Sequence, residues 1–264
     1  MIIDYIADDK PSLAACALVC RAWCHVARPH HFKSLSLRSQ TNISARSLLS
    51  DGTHPILSSI RHLLIEDGED NALWVNDLLP RMRLNEMANL ESLTLEHLHW
   101  DDCQPQARAV VLSSLHRVRE LCLRPIYTST VLDTLELLAA APSLKRFVHV
   151  DGDQSDYVTS REFTQEDLCA RVPAACLPRG LTHLETNESE LLHAICYLAP
   201  LPPITELVVD DVDTLFATTL VAFLRASGST LRHLTITFIW YFDTKAEGAF
   251  IRPAPPLCAL ADSC

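Results

Sequence analysis

The stretch LESLTL at residues 90–95 decides the fold, because the same pattern recurs along the chain. An apolar residue is followed by two variable residues, a second apolar residue, one variable residue and, in most copies, a third apolar residue. We number these positions one to six. The eight copies are FKSLSL at 32–37, IRHLLI at 60–65, LESLTL at 90–95, VRELCL at 118–123, LKRFVH at 144–149, LTHLET at 181–186, ITELVV at 204–209 and LRHLTI at 231–236.

Each copy predicts one β-strand with a buried face. Successive copies start 28, 30, 28, 26, 37, 23 and 27 residues apart. Side chains alternate between the two faces of a strand, so positions four and six point to one face and positions three, five and seven to the other. One copy cannot bury its apolar face alone, whereas stacked neighbours can. The copies are therefore predicted to stack.

Helical spacing separates the predicted strands. Apolar residues three or four apart occur at 111, 115 and 118, at 132, 135 and 139, at 191, 195 and 198, and at 216, 220, 223 and 224. Asn187, with Glu190 three residues later, is predicted to cap the third of these helices. Alternating strands and helices predict an α/β fold with a parallel sheet and outer helices. An ordinary doubly wound α/β domain is the alternative, although such folds do not keep one strand motif at a near-constant period.

The recurring pattern resembles the strand segment of leucine-rich repeats, whose period is about 20–29 residues. The resemblance implies an irregular leucine-rich-repeat solenoid, with a curved parallel sheet and outer helices, over residues 38–244. It also implies ligand binding on the concave face, which positions three, five and seven form. Residues 245–264 include a Pro-rich stretch and are expected to form a poorly ordered C-terminal tail.

Polar side chains dominate the predicted concave face. Glu185, Glu206, Asp210 and Asp211 are expected to make its C-terminal part acidic, which suits a partner with a basic patch. The histidines at position three are expected to be exposed to solvent. The residues predicted to bind a protein substrate are His62, Glu120, Arg146, His183, Glu185, Glu206 and His233.

Residues 1–37 carry a different pattern. The runs PSLAACALVCRAW at 11–23 and HHFKSL at 30–35 resemble the second half of an F-box, especially in the F-box-like proteins of basidiomycete fungi. The Leu-Pro-x-Glu that usually opens an F-box is absent before Ile2. In that family, this short all-α segment docks the Skp adaptor of cullin–RING (SCF) ubiquitin ligases, and the repeats hold the substrate. The resemblance implies adaptor contacts at Ile2, Ile3, Ile6, Leu13, Leu18, Val19 and Trp23.

Two interpretations of the N-terminal segment remain at this point. The first is a partial F-box, which makes the chain a substrate-recruiting ligase subunit without catalysis of its own. The second is a helical cap on the repeat stack, which makes the chain a leucine-rich-repeat scaffold for protein interactions without a ligase connection.

Composition excludes several other functions. The formal net charge of −11, from 22 basic and 33 acidic residues, argues against nucleic-acid or anionic-membrane binding. No apolar run reaches the roughly 18 residues that span a bilayer. The N-terminus lacks the basic and apolar regions of a secretory signal, so we expect a cytoplasmic or nuclear protein. The ten cysteines are then expected to be reduced.

Candidate sites for catalysis and metals are weak. Cys20, Cys24, His25, His30 and His31 could form a zinc site, but structural zinc sites favour short Cys-x₂₋₄-Cys loops with a distant second pair, and the F-box resemblance already explains these residues. Residues 151–162 place oxygen-bearing side chains at the spacing of an EF-hand loop, but Asp156 stands where that loop needs glycine. The six glycines form no phosphate-binding motif, and no nucleophile motif occurs. We therefore expect no enzymatic activity, no cofactor and no metal.

Overall fold

A single parallel sheet organises the chain. The computed structural model describes residues 2–6, 9–38, 56–67, 73–128, 130–150, 177–198, 200–212 and 214–238. All strand pairs are parallel, and the strands lie side by side in chain order. The strands are β1 Ser34–Arg38, β2 His62–Glu66, β3 Ser92–His99, β4 Glu120–Tyr127, β5 Arg146–His149, β6 His183–Thr186, β7 Glu206–Val212 and β8 His233–Phe238.

This strand order separates the fold from the doubly wound alternative. A doubly wound sheet reverses its strand order at a switch point. The described strands contain no such reversal, because each one pairs with its predecessor and its successor in the sequence. The predicted α/β class with one parallel sheet is therefore confirmed, and the doubly wound arrangement is wrong.

Helices and short 3₁₀ turns connect the strands. The 3₁₀ turns are Leu57–Ser59, Leu79–Arg81, Leu84–Glu86, Trp100–Asp102 and Leu115–Arg117. The helices in the described ranges are α1 Ile2–Tyr5, α2 Lys10–Val19, α3 Arg21–His31, α4 Leu73–Leu78, α5 Pro105–Ser114, α6 Val131–Ala139, α7 Ser189–Tyr197 and α8 Thr214–Ser227. The helices predicted from apolar spacing correspond to α5, α6, α7 and α8.

The predicted cap of α7 was one residue early. The N-cap residue is Glu188, and the helix begins at Ser189. The hydroxyl of Thr186 accepts the backbone N–H of Glu188 at 3.0 Å. This bond closes a tight turn between β6 and the helix, which places Asn187 ahead of the capping position.

The eight copies of the motif align residue by residue across the sheet. Every position-three residue pairs with the position-three residue of the next strand. At each of the seven junctions, the position-two carbonyl accepts N–H groups from positions two and three of the next copy. Arg61, for example, accepts from Glu91 at 2.8 Å and from Ser92 at 2.9 Å. We call this repeated pattern the shared-carbonyl ladder.

Positions four and six form the core with the helices. Leu93 and Leu95 are fully buried, and their equivalents in neighbouring strands pack against apolar residues of α5 to α8. Each fully buried aliphatic side chain contributes roughly 1.5–3 kcal/mol. The helices thus cover one face of the sheet. Positions three and five, by contrast, are mostly exposed or half-buried.

In β3 and β7, one residue with a positive φ shifts the alternation of inward and outward side chains. His97 and Asp211 occupy position eight of their copies, with φ of 54° and 59°. Simple alternation would turn position eight inward, but this bend brings position nine to the core instead, where Leu98 and Val212 are buried. In the second copy position eight stays inward: Asp67 is buried and accepts the indole N–H of Trp74 at 2.6 Å.

The N-terminal helices have a small core of their own. Ile3, Leu13 and Ala27 are buried together, apart from the main core. Helices α2 and α3 pack on each other, and α3 contacts the turn Leu57–Ser59. The carboxylate of Asp9 accepts the backbone N–H of Ser12 at 3.3 Å and caps α2. The sheet begins at Ser34, so the domain boundary predicted after residue 37 falls within β1.

Candidate protein-interaction surfaces

The junction of α2 and α3 exposes three large apolar side chains. Leu18 is 87% exposed, Val19 is 65% exposed and Trp23 is 37% exposed. Single exposed apolar residues are common, but a contiguous group marks an interaction site. These residues lie within six positions of each other in the sequence, on either side of Cys20. We call them the α2–α3 apolar surface.

The structure divides the residues predicted to contact the adaptor. Leu18, Val19 and Trp23 are accessible. Ile3 and Leu13 lie inside the small helical core, and Ile6 is half-buried against it. The side chain of Ile2 lies outside the described part of the chain. Ile3, Ile6 and Leu13 therefore support the helices from within, and the accessible three residues form the surface that a partner would meet.

The residues predicted to bind substrate share one face of the sheet. We call the face formed by positions three, five and seven the open face, because helices cover the opposite one. Glu185 is at position five of β6, beside the position-three row. The row at position three contains Ser34, His62, Ser92, Glu120, Arg146, His183, Glu206 and His233.

The middle of the open face is less polar than its edges. At position five, Leu64, Thr94, Cys122 and Val208 are half-buried and Val148 is buried. The charged residues lie mainly at positions three and seven, on either side of this row. Protein interfaces commonly have an apolar centre and a polar rim. The open face has that arrangement at β2, β4, β5 and β7, where position five is Leu64, Cys122, Val148 and Val208.

A polar network joins three strands of the open face. A side-chain nitrogen of Arg146 lies 3.2 Å from Oε2 of Glu185. The Nε2 atom of His183 approaches the same oxygen at 3.5 Å, and its Nδ1 lies 2.9 Å from Oε2 of Glu206. The hydrogen bond from His183, followed by its charge, lowers the pKa of Glu206 below the ordinary value, and His233 and Arg146 add to this effect.

This network corrects one expectation. The position-three histidines were predicted to be exposed, but His183 is buried between two carboxylates and His62 is half-buried, whereas His233 is exposed. Two of the four acidic residues predicted there already have partners within the protein, since Arg146 contacts Glu185 and His183 contacts Glu206.

An open depression interrupts the open face between β3, β4 and β5. Its volume is about 210 Å³. It lies where the apolar middle row meets the first arginines of the C-terminal half. The lining residues are Ser92, Thr94, Glu120, Leu121, Cys122, Arg124, Arg146 and Val148.

The described residues bring together no cluster of metal ligands. Throughout the described ranges, no three His, Cys, Asp or Glu side chains gather as metal ligands would. The candidate calcium loop at 151–162 lies outside those ranges. Burial raises the pKa of Cys103 to about 12, so this thiol is protonated at neutral pH and acts as a packing residue. Cys16, Cys20, Cys24, Cys103, Cys122 and Cys196 are free thiols.

Across the described ranges, no helix has both the length and the apolar character that a bilayer crossing requires.

Comparisons with known proteins leave the family open. The sequence matches no protein-family model and no curated protein. The resemblances in the two parts of the chain therefore depend on the residues and geometry described above.

Proposed function

We propose that the chain is a substrate-recruiting F-box subunit of a cullin–RING (SCF-type) ubiquitin ligase. The N-terminal helices dock a Skp-type adaptor, and the open face of the sheet binds a protein substrate. The observation that carries the proposal is the α2–α3 apolar surface, in which Leu18, Val19 and Trp23 are exposed beside a packed helical core. The protein then acts in the cytoplasm or nucleus and performs no catalysis of its own.

The proposal includes an irregular leucine-rich-repeat solenoid as the substrate-binding part. Three features support it: parallel strands in chain order, the shared-carbonyl ladder at all seven junctions, and helices that pack on the face formed by positions four and six. Stacked repeats of this kind present one long side-chain surface to a partner. The open face is that surface here.

Burial of the α2–α3 apolar surface would supply the affinity for the adaptor. Covering a large apolar side chain completely contributes roughly 1.5–3 kcal/mol. Trp23 has the residue type most often found at the energetic centre of an interface. The buried Leu13 and Ile3 would fix the positions of both helices, so that little ordering is left to occur on binding.

Binding of a purified Skp-type adaptor to the full chain tests this function. The double variant Val19→Asp, Trp23→Ala is expected to weaken binding by at least about 100-fold, because hot-spot truncations cost 2 kcal/mol or more each. The matched control is Val221→Asp, Tyr197→Ala, since both of these side chains are 46% exposed and lie on α8 and α7. The control is expected to bind as the unmodified chain does.

Failure of the unmodified chain to bind the adaptor would reject the ligase assignment. The alternative function is then a leucine-rich-repeat scaffold without a ligase connection. The contact of α3 with the turn Leu57–Ser59 is the observation that favours this alternative, because a helical cap on the β1 end of the sheet would make such a contact.

A further inference from the structure

The depression on the open face gathers hydrogen-bond donors. Arg124 and Arg146 supply two guanidinium groups, and Ser92 and Thr94 supply two hydroxyls. Leu121, Cys122 and Val148 complete its apolar lining. Glu120 is the one carboxylate in the lining. Arginine presents several donors in a planar fork that matches a carboxylate, often through two parallel hydrogen bonds.

Cys122 reports the charge that acts at the depression. Burial raises the pKa of this thiol, whereas the nearby charge of Arg124 lowers it. The charge of Glu185 raises it, and a hydrogen bond with Arg124 and the charge of Arg146 lower it further. Two of the three charges that act on the thiol are therefore cationic, although the chain as a whole carries a formal net charge of −11.

The two arginines are held differently. Arg146 contacts Glu185 of the next strand at 3.2 Å, which fixes one side of the depression. Arg124 is exposed at position seven of β4 and lines the depression beside Cys122. One guanidinium is thus held by a carboxylate, and the other is exposed to solvent at the edge of the depression.

The size of the depression limits what it accepts. A water molecule takes up about 30 Å³ of liquid, so a volume of about 210 Å³ holds several waters or one side chain of a partner. Because the depression is open, that side chain can reach it from a segment lying along the open face.

We propose that this depression is the subsite for an acidic side chain, Asp or Glu, of the protein substrate. The proposal rests on the assignment of the open face to substrate binding. The carboxylate lies between Arg124 and Arg146 and accepts hydrogen bonds from Ser92 and Thr94, while the aliphatic stem of the side chain covers Cys122 and Val148. Substrate selection then depends on an acidic residue that meets the guanidinium groups of Arg124 and Arg146, beside Glu120.

The first test uses the thiol of Cys122 as a reporter. The full chain is treated separately with the anionic disulfide 5,5′-dithiobis(2-nitrobenzoate) and with the neutral 4,4′-dithiodipyridine, and labelling is measured at each cysteine by mass spectrometry. The ratio of the anionic to the neutral rate is compared at Cys122 and at the exposed Cys20. Both reagents react with the thiolate form of the same cysteine. The fraction of that cysteine present as thiolate therefore cancels when the two rates are divided.

At low salt we expect the ratio to be at least several-fold higher at Cys122 than at Cys20. It is expected to fall to the Cys20 value in Arg124→Gln, Arg146→Gln, and to be retained in the control Arg117→Gln, Arg225→Gln. High salt is expected to reduce the difference. Equal ratios at both cysteines of the unmodified chain would overturn the anion subsite.

The second test identifies the partner's side chain. A random peptide library is selected against the full chain and against Arg124→Glu. We expect an acidic residue at one fixed position in the peptides that bind the unmodified chain, replaced by Lys or Arg in those that bind the variant. Peptides that bind the open face without an acidic residue would reject the subsite but leave substrate binding there intact. Loss of adaptor binding, measured separately, would reject the ligase role alone.

Discussion

The sheet and the N-terminal helices differ in how completely they bury their apolar residues. In the central strands, Leu93 and Leu95 are fully buried, because neighbouring copies and the helices cover them. In the N-terminal helices Leu13 is fully buried, but Leu18, on the same helix, is 87% exposed. An apolar residue inside the stack of copies is buried by other residues of the same chain. An apolar residue at the junction of α2 and α3 remains exposed to solvent, where another protein could bury it.

The largest expected effect contrasts two leucines at the same motif position. Leu93→Ala in β3 removes a fully buried side chain and is expected to destabilise the fold by about 2–5 kcal/mol. Leu234→Ala in β8 removes a side chain that is 42% exposed and is expected to cost about 1 kcal/mol or less. Urea unfolding of both variants provides the comparison. Equal losses would mean that β8 is as well covered as the centre of the sheet.

The second prediction makes the same contrast within α2. Leu13→Ala empties the small helical core, and we expect it to lower the opening free energy of α2 by about 2 kcal/mol. Leu18→Ala is expected to change that free energy by less than about 0.5 kcal/mol, because the side chain is exposed. Amide hydrogen exchange over Lys10–Val19 measures both. A large effect of Leu18→Ala would show that this side chain supports the helix rather than a partner.

The motif predicted the sheet well because strand geometry is local. Alternation with a period of two fixes which residues turn inward, so the eight copies gave every described strand and placed position three of each copy in one row. The bend at His97 and Asp211 was not predicted. The bend allows Leu98 and Val212 to be buried in the core. The space that these side chains fill is formed by the neighbouring strands and helices, which the local pattern does not describe.

The candidate surfaces were predicted less completely for the same reason. The motif placed His183 on the open face, but its burial depends on Glu206 of the next strand, 23 residues away in the sequence. The resemblance to an F-box grouped Leu13 with Leu18. Only the packing of α2 against α3 separates a supporting residue from an accessible one.

A third prediction concerns a polar residue on the buried face. His149 occupies position six of β5 and is fully buried, stacked with Phe147 at 6.1 Å between ring centroids. Its Nδ1 lies 3.3 Å from Oε2 of Glu188, but neither ring nitrogen has a well-aligned hydrogen bond with a described residue. His149→Leu, which restores the residue found at this position in β1, β3 and β4, is expected to stabilise the fold by about 1 kcal/mol at pH 8.

The reverse exchange is the control for His149. Leu123→His places an imidazole at position six of β4 and is expected to destabilise the fold, because Leu123 is fully buried in the apolar core. Urea unfolding of both variants measures the two changes. A loss of stability in His149→Leu would mean that the contact with Glu188 outweighs the cost of burying the ring.

The smallest expected effect is a titration on the open face. The pKa of Glu206 is lowered in the folded protein, first by the hydrogen bond from His183. Glu206 therefore contributes stability above its ordinary pKa near 4.5, and this contribution is lost as the pH falls through the lower folded value. His183→Gln is expected to raise the pKa of Glu206 more than His233→Gln does, as carboxyl-carbon NMR would measure. An equal rise in both variants would contradict the dominant role of His183.

The shared-carbonyl ladder also has a consequence for how the protein is made. Among the described strands, each is bonded to its neighbours in the sequence, so every pairing closes a short loop with a small entropic cost. The first pair can form once Glu66 has left the ribosome, because β1 pairs with β2. As the chain leaves the ribosome, each new strand therefore meets a partner that is already in place, and the sheet can grow in the order of translation.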